Sequence, residues 1–121
     1  MKKILFAALA LAGTFQMAQA NTLTINNLTN CTLRCGISYY GDVMVPPGLS
    51  TYTSTPGNDI SSLKLEFLAV NGSYLQLVSG ITPSYSSGAG MPSPVCPTPM
   101  GYLTLSWAQA SPTANATMII F

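Results

Sequence analysis

From residue 31 onward the odd positions Cys31, Leu33, Cys35, Ile37 and Tyr39 are apolar, while Thr32, Arg34, Gly36 and Ser38 between them are polar or small. A period of two is that of an extended strand with one face buried, so both cysteines point to the same side. Similar short runs recur at 22–26, 50–54, 62–70, 74–78, 102–107 and 114–121. They are rich in Thr, Tyr, Val, Ile and Leu, which suit a pleated, half-buried surface. Outside the first twenty residues no window of about 11 residues carries a helical stripe.

Turn chemistry falls between these runs. Asn26-Asn27 separates the first two, Val45-Pro46-Pro47-Gly48 halts the chain before the third, and Pro56-Gly57-Asn58-Asp59 follows it. Asn71-Gly72 between two apolar runs predicts a type I′ hairpin turn. The pattern predicts an all-β fold: a single-domain antiparallel β-sandwich of six to seven strands, immunoglobulin-like in architecture. The stretch at about 80–101 breaks the alternation with Gly, Ser and five prolines (Pro83, Pro92, Pro94, Pro97 and Pro99), and reads as a long loop.

The amino terminus changes the setting. Met1-Lys2-Lys3, an apolar run at 4–13 and Ala18-Gln19-Ala20 form a basic, an apolar and a small-residue cleavage region, the pattern of a bacterial-type signal peptide over 1–20. The apolar run is half of the ~20 residues a membrane helix needs. The mature domain is expected to be 21–121, secreted or periplasmic, with no integral membrane segment. Without the leader, Arg34 and Lys64 face Asp42, Asp59 and Glu66, a formal charge of −1. Two scattered cations cannot follow a phosphate backbone, which excludes nucleic acid as a partner. The many Val, Ile, Leu and Tyr argue against disorder.

Export also decides what the three cysteines can do. Cys31 and Cys35 lack the two-residue spacing of a helix-borne redox pair, and three cysteines without any histidine fall short of a structural zinc site. No metal or cofactor is expected. In one strand their Cα atoms lie roughly 13 Å apart at about 3.3 Å per residue, too far to bridge. Cys96 is therefore the partner. Cys31, at the start of its strand, gives the expected pairing Cys31–Cys96 with Cys35 buried and free; Cys35–Cys96 is the alternative.

Catalysis is not expected. The absence of histidine removes the commonest general base and every triad built on it. Asp42 and Asp59 sit at turn positions and Glu66 alternates with Lys64 on a solvated face, so no carboxylate pair is set up for glycoside hydrolysis. Calcium loops need closely spaced acidic oxygens, and the sequence has none.

Binding is the remaining class. Tyr85, Tyr102 and Trp107, in or just after the long loop, are candidate ligand-contact aromatics, although Trp107 shares the parity of Leu103 and Leu105 and so also reads as core. Tyr39, Tyr52 and Tyr74 alternate as core or rim residues. The Asn-x-Ser/Thr triplets at Asn27, Asn30, Asn71 and Asn115 read as turn and strand composition behind such a leader. At the carboxyl end Thr117, Ile119 and Phe121 alternate with Met118 and Ile120, a stretch that resembles the terminal strand of outer-membrane β-barrel proteins. The expected protein is an exported, monomeric, non-catalytic binding or cell-surface component with a protein or glycan partner. A carbohydrate-binding accessory module and a minimal outer-membrane barrel are the alternatives.

Overall fold

The computed structural model describes residues 19–121, so the expected leader lies outside the described residues, except for its last two positions. Nine strands follow in chain order: β1 Thr22–Asn27, β2 Leu33–Ile37, β3 Gly41–Val45, β4 Gly48–Thr53, β5 Ser62–Leu68, β6 Tyr74–Gly80, β7 Tyr85–Ser87, β8 Thr104–Gln109 and β9 Ala116–Ile120. They form two sheets, one ordered β4-β1-β9-β8-β7 and the other β3-β2-β5-β6. The described chain is all-β and folds as one sandwich, consistent with the immunoglobulin-like architecture expected. All pairings are antiparallel except β1 with β9, which run parallel side by side in the middle of the larger sheet.

Alternation places the core. Leu23 and Ile25 of β1, Met118 and Ile120 of β9, Leu105 and Trp107 of β8, Cys35 of β2 and Leu63 and Leu65 of β5 all turn inward and are buried. The two sheets meet through these side chains and do not close on themselves. That is a packed sandwich and not the membrane barrel of the alternative reading. Phe121 follows a strand whose inward residues are part of this core.

Two buried asparagines pin the ends of β1. Asn21 donates from Nδ2 to the carbonyls of Ile60 (2.7 Å) and Ala114 (3.0 Å), and its Oδ1 accepts the Ile60 N–H at 2.7 Å. Asn27 belongs to the strand and not to the expected turn. Its Nδ2 donates to the Cys31 carbonyl at 2.8 Å, while Oδ1 accepts the Thr29 N–H at 3.0 Å and the Thr29 hydroxyl at 2.6 Å. Buried amides of this kind hold because every polar atom finds a partner.

The two strands absent from the sequence reading are short. β3 is hidden by the turn Ile37-Ser38-Tyr39-Tyr40, which is closed by the Tyr40 N–H on the Ile37 carbonyl (3.1 Å) and carries Tyr39 at φ 57°. Tyr39 therefore leaves the alternation it was expected to continue and stands 71% exposed. Asp42, expected in a turn, lies on β3. The Asn71-Gly72 turn also differs from expectation. Only Gly72 has positive φ, and its N–H bonds the Ala69 carbonyl at 2.9 Å. That is a three-residue hairpin loop closed by a left-handed glycine, where a type I′ turn needs positive φ at both centres.

Candidate functional site

The outer face of the smaller sheet gathers most of the charge. Arg34 on β2 pairs with Asp42 on β3 at 3.2 Å and reaches Glu66 on β5 at 3.9 Å, while Lys64 lies 3.5 Å from Glu66. Register explains the meeting: Arg34 stands opposite Met44 on one side and Glu66 on the other. Such half-exposed pairs add little stability. They do fix which groups face solvent here, and their charges cancel.

The same face is also unusually apolar. Met44, Leu68, Tyr74 and Val78 occupy the outward parity of β3, β5 and β6, positions where alternation expects polar residues; Met44 stands opposite Arg34 and Val78 opposite Lys64, while Leu68 and Tyr74 pair with each other beyond the charged rows. Tyr74 is 78% exposed. Beside it lies a segment of the proline-rich stretch: the Val95 N–H bonds the Leu68 carbonyl at 2.8 Å and the Val70 N–H bonds the Ser93 carbonyl at 2.9 Å, an antiparallel bridge between Ala69 and Pro94. The segment continues the sheet along β5 just beyond the end of β2.

A disulfide fastens it there. Cys31 and Cys96 are bonded, with Cα atoms 6.1 Å apart and a sequence separation of 65. Cys35 is the free, buried thiol, and burial pushes its pKa up to about 12. Both features follow the expected pairing.

Between this segment and the sheet opens a depression of about 560 Å³, with Met44, Leu68, Tyr74, Pro94 and Val95 supplying apolar surface. Arg34, Glu66 and Thr32 supply its polar groups. Cys96 itself is among the lining residues, so the disulfide and the site are one construction.

The expected aromatics lie elsewhere. Tyr85 stands 59% exposed on β7 at the edge of the larger sheet. Tyr102 is half-buried just before β8, with its hydroxyl 3.7 Å from the Met100 sulfur. Trp107 is only 5% exposed and donates from Nε1 to the Gln109 Oε1 at 3.1 Å; its ring belongs to the core and presents no face to a ligand. The aromatic that lines the depression is Tyr74. Its signal was present in the sequence, since Tyr74, Gln76 and Val78 oppose the inward Leu75 and Leu77.

Among the described residues no group of three or more His, Cys, Asp or Glu is placed to hold a metal ion. No helix of the described residues is long and apolar enough to cross a membrane. No protein-family model, curated protein or solved structure matches the chain.

Proposed function

We propose that this chain is a small exported binding protein without catalytic activity, and that it holds its partner in the depression on the outer face of the β3-β2-β5-β6 sheet. The observation that carries the reading is the cluster of exposed apolar side chains, Met44 at 59%, Tyr74 at 78% and Val95 at 53%, around a concavity whose far wall is tied down by Cys31–Cys96. Exposed apolar patches of this kind mark interaction sites, and Tyr and Met are enriched in them. The non-catalytic reading is supported by a sequence without histidine and by carboxylates at Asp42 and Glu66 that are engaged with Arg34. Export is supported by the leader pattern at 1–20 and by a disulfide, which persists in oxidising compartments.

Co-sedimentation of labelled mature protein with cell envelopes of the producing organism tests the reading. Wild type is expected to pellet with the envelopes, and Met44→Glu, at an exposed position that leaves folding intact, is expected to remain in the supernatant with an unchanged melting temperature. Equal pelleting of the two proteins, or none by wild type, contradicts it.

A further inference from the structure

We infer that the ligand of this depression is an uncharged oligosaccharide, an assignment that rests on the binding site proposed above. Three features of the lining select this chemistry together. The first is electrostatic. Arg34 and Lys64 are matched by Asp42 and Glu66 within 3.2 to 3.9 Å, so the face presents no net field to draw an anion or a cation.

The second feature is the mixture of hydrogen-bonding groups. Arg34 offers only donors, Glu66 only acceptors, and the Thr32 hydroxyl offers both. A purely apolar occupant, such as a hydrophobic peptide face, would strip water from the Arg34–Glu66 pair and return nothing to it, and that desolvation is costly. Neighbouring sugar hydroxyls donate and accept at once. They can replace the water on guanidinium and carboxylate together.

The third feature is shape and apolarity. Tyr74 is 78% exposed at the rim, and Leu68, Pro94 and Val95 continue the apolar surface beside it. A pyranose presents a face of C–H bonds to such a ring while its equatorial hydroxyls project sideways, here toward the polar groups. A site that is mostly apolar with a few convergent polar groups is the usual design for a small ligand. Tyr74 is thereby the stacking residue, and Arg34 and Glu66 set the ligand's orientation.

The test uses two portions of the same envelopes, one digested with proteinase K and one oxidised with periodate, which cleaves vicinal diols. Labelled mature protein is expected to bind the protease-treated portion and to lose the periodate-treated one. Tyr74→Ala should weaken binding at least tenfold, Tyr74→Phe should retain it, and Tyr85→Ala, on the other sheet, should leave it unchanged. Binding that survives periodate and is lost on proteolysis overturns the saccharide assignment and leaves the binding site standing. Undiminished binding by Tyr74→Ala overturns the stacking role. Wild type that binds neither portion nor untreated envelopes overturns both the assignment and the site.

Discussion

Cys35 shows what one buried side chain settles. It lies on the inward parity of β2 with no exposed surface, and burial disfavours its thiolate, raising its pKa to about 12 from the 9.0 of a solvated thiol. The folded chain thus keeps a proton that the unfolded chain releases at lower pH. The Cys35 contribution to stability is therefore constant below pH ~9 and is lost as pH rises from there toward the folded value. Iodoacetamide at pH 8 is expected to leave native protein unlabelled and to add one adduct per chain after unfolding without reductant; labelling of the native chain contradicts the burial. Tyr39 sits in the opposite situation, exposed and held at φ 57°, a conformation that costs a non-glycine residue about 1–2 kcal/mol. Tyr39→Asn should raise stability by about 1 kcal/mol, because asparagine tolerates that region and no packing is lost. Chemical denaturation showing no gain would place the strain elsewhere.

At the scale of elements, the Ser93–Cys96 segment becomes part of the smaller sheet through two backbone hydrogen bonds and a disulfide. In the chain-entropy view, closing a loop of 65 residues contributes about 4 kcal/mol. Cys31→Ser and Cys96→Ser should each lower the melting temperature by on the order of 20 °C. The double variant should be no worse than either single, since both lose the same bond. Additive losses measured by calorimetry would mean that the two cysteines stabilise separately. Six strands were legible because their apolar residues recur at two, β4 because of its Thr and Tyr composition between turn signals, and the Cys31–Cys96 bond because an extended chain keeps Cys31 from Cys35. β3 was not, because Ser38-Tyr39-Tyr40 turns the chain without Asn, Pro or Gly at its centre. β7 is three residues long and paired only to β8, too short for a period to register. The depression was illegible for a different reason. It joins outward residues of β2, β3, β5 and β6 to Pro94 and Val95, and only pairing register and the bridge at Ala69 bring them together.

Across the whole molecule the two outer faces differ in kind. The smaller sheet displays Arg34, Asp42, Lys64 and Glu66 beside the apolar depression. The larger sheet displays uncharged residues such as Thr24, Thr51 and Thr117, aligned across β4, β1 and β9, with Leu49 74% exposed in the neighbouring row. Hydrophobic exposure alone therefore does not single out the site, since both faces have it. On the smaller sheet the concavity, the cancelled charges and the anchored segment come together. A photoreactive benzoylphenylalanine placed at Met44 or at Leu49 separates the two faces directly. Irradiation of the mature protein on isolated envelopes is expected to give covalent adducts from position 44 and none from position 49. Adducts from position 49 with none from position 44 would contradict the assignment of the binding site to the depression.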